Sequence, residues 1–134
     1  VWIEDESNKI GKIHIPLGLF RQMRQQNLYF IDIPKEQRAA YLVKEYTGFD
    51  DLMIEDSIGM IRERLGRQNT KAAIGFLNQK KYLEVAMLAL QYYDKSYRRS
   101  MKDRNPNQIF EIPLSGTNHH DNAEKVIQFI SENE

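Results

Sequence analysis

Apolar positions along the chain follow two different periods, and each period predicts its own kind of element. Leu28-Tyr-Phe-Ile-Asp-Ile33 is a compact β-branched and aromatic run of strand length. Pro34 follows at a position suited to the first turn of a helix, with Glu36 near that helix's positive end. The predicted helix covers 35–46 and stops at Gly48. A strand joined tightly to a helix is half of a βαβ unit. Upstream, Pro16 opens a helix carrying Leu17, Phe20 and Met23.

After Asp50 and Asp51, the apolar residues Ile54, Ile58, Ile61 and Leu65 recur at helical spacing, and Gly66 ends the pattern. Thr70 is expected to cap a helix over 71–78. A longer helix over 80–102 carries Tyr82, Val85, Ala86, Ala89 and Tyr93 on one face. Leu83, Met87, Leu88 and Leu90 make it apolar on other faces too, which predicts deep burial. Asn105-Pro-Asn107 is a turn, and Gln108-Ile-Phe-Glu-Ile-Pro-Leu114 is a strand whose Pro113 marks its end. Asp121 with Glu124 resembles a capping box for a final helix over 123–132.

Val1-Trp-Ile-Glu-Asp-Glu6 reads as a strand already under way, so the expectation is a fragment of a longer protein. The predicted fold class is α/β and helix-rich. Three strands, expected to be parallel, are separated by helices, with a helical block over about 50–104 between the second and third.

With 134 residues the chain suits one domain and can bury roughly two-thirds of its unfolded surface. Its 41% hydrophobic and 28% charged content argues against wholesale disorder. No apolar run reaches membrane-spanning length, so no membrane partner is expected, and no signal peptide is recognisable. The absence of cysteine excludes disulfides, thiolate zinc sites and cysteine catalysis within the chain. It suits a cytoplasmic location.

Zero net charge hides an asymmetry. From Arg62 to Arg104 there are eleven Lys/Arg against four Asp/Glu, while the rest of the chain has eight against fifteen. Such a block is either a solvated helical face or the footprint of a phosphate-rich partner.

Several residues could carry chemistry. Glu4 and Glu6 share one face of the first predicted strand, where a strand-end acid can hold magnesium through water; the plain alternative is a solvated strand end. Gly11-Lys12 is not a phosphate loop, because Ile13 stands where Ser or Thr is needed and no GxxxxGK[ST] occurs. Asp94, Tyr97 and Arg98 lie on one side of the long helix, either as an intrahelical ion pair with aromatic packing or as a polar cluster beside a substrate. Arg98 and Arg99 are then available for phosphates. His119-His120-Asp121 lacks a third ligand at helical spacing, and a cap explains Asp121, so no metal site is expected there. His14 reads as structural. Ser115-Gly116-Thr117 is a turn in the place where open α/β sheets carry ligands.

Three strings occur in an informative order: Trp2-Ile-Glu-Asp-Glu-Ser7 with Ile10-Gly11, then Arg64-Leu-Gly66, then Tyr93-Asp-Lys-Ser-Tyr97. With Ile33-Pro34, Arg38 and Glu45-Tyr46, they resemble tRNA 2-selenouridine synthase up to about Leu114. Arg67 departs from the pattern, since a second glycine is expected after Arg-Leu-Gly.

The resemblance implies the C-terminal part of a P-loop domain, with a partial P-loop NTPase-like sheet. The phosphate loop and a rhodanese domain bearing the catalytic cysteine would lie upstream, in a missing N-terminal part of the same protein. Family members replace the sulfur of wobble 2-thiouridine in tRNA by selenium from selenophosphate, and geranylate that sulfur from geranyl diphosphate. By position, Glu4, Glu6 and Ser7 would sit beside the phosphate pocket, with magnesium on the two glutamates as a possibility. Asp94 and Tyr97 would shape the substrate site, and Arg38 and Arg64 would meet phosphate charge. Arg62, Arg67, Lys80, Lys81, Tyr93, Arg98 and Arg99 would contact tRNA. No cofactor is expected within the chain itself. A small-molecule kinase-like P-loop enzyme and a non-catalytic helical RNA-binding module remain alternatives. An upstream phosphate loop with a cysteine-bearing rhodanese domain would separate them.

Overall fold

A computed structural model describes residues 2–5, 7–46, 48 and 50–133. A two-residue hairpin comes first, β1 (Lys9–Ile10) and β2 (Ile13–His14), turning at Gly11 with φ 60°. Then come α1 (Leu17–Arg24), β3 (Leu28–Asp32), α2 (Lys35–Glu45), α3 (Asp51–Leu65), α4 (Arg67–Asn78) and α5 (Tyr82–Met101). A 3₁₀ turn at Pro106–Gln108 leads into β4 (Ile109–Pro113), and α6 (His119–Asn133) closes the chain.

β3 and β4 pair in parallel, from Leu28 opposite Ile109 to Asp32 opposite Pro113. Leu114 N–H adds one more bond to the Asp32 carbonyl at 2.9 Å. The four helices α2 to α5 form the crossover between these strands. The expected three-stranded sheet is therefore corrected to a two-stranded one. Residues 2–5 belong to no strand; side chains hold them instead. Trp2 packs its ring 5.3 Å from that of Tyr29, and Asp5 is gripped by two arginines.

The apolar ladder of α3 works as its spacing implies. Ile58 and Leu65 join Ala73, Leu77 and Val85 in a core, with Ile54, Ile61, Ile74, Phe76 and Leu88 packed around it. α5 touches α2, α3 and α4, which is why its first half is apolar on several sides. Deep burial does not extend along it: only Val85 and Leu90 are fully buried, and 95–100 are exposed.

Caps differ from expectation at two places. α4 starts at Arg67 rather than Lys71, because Gly66 takes φ 86° and ends one helix while starting the next. Thr70 lies inside α4 and donates its hydroxyl to the Gly66 carbonyl at 2.9 Å. One glycine accomplishes the corner, so Arg67 needs no second. α6 starts at His119 because the Asn118 side-chain oxygen accepts from the N–H groups of His120 and Asp121. Asp121 instead places its charge in the first turn, near the helix's positive end. Asp50 caps α3 as a helix-starting acid should, accepting from Leu52 N–H.

Candidate functional site

The exit of β3 fixes the first functional side chain. Pro34 starts α2 immediately, so Arg38 lies one turn into that helix and folds back over the strand end. Its Nε donates to the Ile33 carbonyl at 2.9 Å. Its two terminal nitrogens donate to Asp94 of α5, Nη1 to Oδ1 at 2.6 Å and Nη2 to Oδ2 at 3.1 Å. The Asp94 carboxylate holds the Arg38 guanidinium further above its ordinary pKa, against the opposing pull of partial burial.

This pair lies in the wall of a cavity of about 1100 Å³. Glu4, Asp32, Tyr97 and Arg98 line it too, as do all five residues of β3. The cavity therefore runs along the edge of β3 that β4 leaves free. Glu4, Arg38 and the α5 residues Asp94, Tyr97 and Arg98, drawn from three separate places in the sequence, are brought to one concavity.

Asp5 anchors the floor. Arg104 is almost fully buried and donates to Asp5, to the Arg24 carbonyl at 3.3 Å and to the Gln26 carbonyl at 3.2 Å. Arg24 reaches the other Asp5 oxygen at 3.3 Å and also donates to the Ser100 carbonyl. Strand alternation drew attention to Glu4 and Glu6, yet the acid between them ties the entry segment to α1 and to the end of α5. Asp32 was also missed. Its signal was an acid at a strand's C-terminal end, just before a helix-starting proline.

Other expected residues lie elsewhere. Glu6 falls outside the described residues. Ser7 donates its hydroxyl to the Lys9 carbonyl at 2.7 Å, bracing the hairpin. Arg64 donates to the Tyr92 hydroxyl at 3.0 Å and is absent from the cavity lining. That bond raises its pKa. Lys80 forms an ion pair with Asp51, whose other oxygen accepts from Tyr82 at 3.0 Å. Arg62 and Arg67 line a second groove, at the α3–α4 corner. Lys81 precedes α5, Tyr93 meets Tyr92 with ring centroids 4.9 Å apart and planes tilted by 55°, and Arg99 lies in the last turn of α5. None of these three lines either cavity.

Among the described residues no cluster of three or more His, Asp or Glu could hold a metal. His119 instead meets Tyr41, with 3.1 Å between its Nε2 and the hydroxyl. His14 is exposed on β2 rather than packed. Gly116 offers its carbonyl to the Asn122 amide at 2.9 Å, a turn contact away from the cavity. No helix among the described residues is long and apolar enough to cross a membrane.

Comparison with curated proteins gives no match, and comparison with solved structures gives none. The family model described as the tRNA 2-selenouridine synthase AAA domain matches residues 1–133. A match over essentially the whole chain places it: the chain belongs to the tRNA 2-selenouridine synthase AAA domain family.

Proposed function

We propose that this chain is the part of a tRNA-modifying transferase that receives the wobble 2-thiouridine and the phosphorylated donors. The reaction would replace the thiouridine sulfur by selenium from selenophosphate, with geranylation of the sulfur from geranyl diphosphate. The observation that carries this reading is the convergence of Arg38, Asp94, Tyr97, Arg98 and Glu4 on the concavity beside β3.

Each side chain has a role its chemistry suits. Arg38 uses three of its five N–H donors on Asp94 and Ile33, which fixes the plane of the guanidinium and leaves two donors for a phosphate. Arg98 has no ion-pair partner among the described residues and can neutralise charge developing on a leaving phosphate or diphosphate. Tyr97 offers an aromatic face to an unstacked base. Magnesium, held mainly by the donor's own phosphates, would find a carboxylate in Glu4, since Asp5 is already engaged by two arginines. The free edge of β3 suits a further strand from an upstream part of the same protein, because an unpaired row of backbone groups is normally covered.

The test is nucleoside mass spectrometry after incubating the full-length protein with selenophosphate and tRNA carrying 2-thiouridine. Formation of 2-selenouridine, reduced at least about tenfold by Arg98→Ala in a folded protein, is the expected result. No conversion by the full-length protein would overturn the reading. The chain alone, lacking cysteine and a GxxxxGK[ST] loop, should leave the tRNA unchanged.

A further inference from the structure

Among the described residues some cations are answered by carboxylates and others, Arg98 among them, are not. Arg24 and Arg104 pair with Asp5, Arg38 with Asp94, and Lys80 with Asp51. Arg62, Arg67 and Lys71 pair with no carboxylate among the described residues, and all three are exposed. They line one groove of about 530 Å³ at the α3–α4 corner, together with Glu63, Thr70 and Ile74. Among the described residues it shares no lining residue with the larger cavity.

The arrangement is electrostatically unfavourable for the protein by itself. Arg67 and Lys71 are four apart on α4, so two like charges face each other on one side of the helix. The first turn of α4 holds no acid, and Arg67 sits at that helix's positive end. Among the described residues Glu63 is the only carboxylate in the lining, against three cations. A local conflict without an internal remedy is expected where a partner supplies the opposite charge. The cations are exposed and the groove is open along the surface. That form fits a polyanion lying across it better than a small anion needing enclosure.

We propose that the α3–α4 groove binds the phosphodiester backbone of the tRNA through Arg62, Arg67 and Lys71, at a site separate from the reaction cavity. This rests on the assignment of tRNA as substrate. It adds Lys71 to the expected contacts and removes Lys80, whose charge Asp51 already answers. The site positions the tRNA without reading its sequence, since phosphate contacts carry no base information.

The test is tRNA binding by the full-length protein across a salt series. Each phosphate contact contributes about 0.7–0.9 to the slope of log affinity against log salt. Replacing Arg62, Arg67 and Lys71 together by Gln should flatten that slope by about 2–3 and weaken binding at least tenfold near 100 mM salt. A Lys12→Gln, Lys125→Gln double variant should leave both unchanged. Exposed positions predict an unaltered melting temperature, checked by circular dichroism. Equal losses in both variants, or an unchanged slope in the triple variant, would overturn the groove while leaving tRNA as substrate intact. Displacement of tRNA by inorganic diphosphate at low millimolar concentration, lost in the triple variant, would assign the groove to a small anion instead. Absence of tRNA binding by the unaltered protein would overturn both the groove and the substrate assignment.

Discussion

Arg38 and Asp94 stand 56 residues apart in the chain and meet as a two-pronged pair, at 2.6 and 3.1 Å. The contact joins the first α-helix after β3 to the last α-helix before β4, so it closes the crossover in the wall of the cavity. Both side chains remain roughly a quarter to a third exposed, which leaves the pair within reach of a ligand.

Replacing Arg38 by Lys keeps the charge and loses the fork. The full-length protein should lose at least about tenfold in turnover. Stability should fall by only about 1 kcal/mol, as suits a partly exposed pair. Melting temperature and selenouridine formation, measured side by side, check this split.

Asp5→Asn should cost roughly 2–4 kcal/mol, because Arg104 would keep a buried charge without its carboxylate. Denaturant midpoints check the value. Lys125→Gln, at an exposed position with no ion pair among the described residues, should change the midpoint little.

The Asp51–Lys80 pair gives a pH signature. Lys80 holds the Asp51 carboxyl below its usual range, and Asp51 holds the Lys80 ammonium above its usual range. The Asp51 contribution is fully present above its unfolded pKa of about 4 and is lost as pH falls through the lower folded value. The Lys80 contribution is fully present below about pH 10 and is lost as pH rises through its higher folded value. The melting temperature of the natural chain should therefore exceed that of Lys80→Gln across neutral pH. The difference should shrink on acidification below about pH 4.

Gly66→Ala should destabilise by about 1–3 kcal/mol, since φ 86° with ψ 151° is a backbone region that a side chain strains. The space around its Cβ position is open, so the effect is conformational and not steric crowding. Thermal unfolding of the variant checks it.

Local order was legible in the sequence. The steps of Ile54, Ile58, Ile61 and Leu65, starting after Asp50 and Asp51 and stopping at Gly66, describe α3, because helix periodicity and helix breaks act within a few residues. The run at 28–33 and the Pro113 stop likewise describe the two strands that pair. Arg38, Asp94, Tyr97 and Arg98 could be named from spacing and resemblance. Tertiary structure alone decided that Arg38 closes on Asp94, that Asp5 rather than Glu4 anchors the entry segment, and that residues 2–5 join no sheet. It also divided the basic block, tying Lys80 to Asp51 and leaving Arg62, Arg67 and Lys71 together on one groove. Charge composition sums over the chain, whereas an ion pair depends on which side chains the crossover brings within about 4 Å.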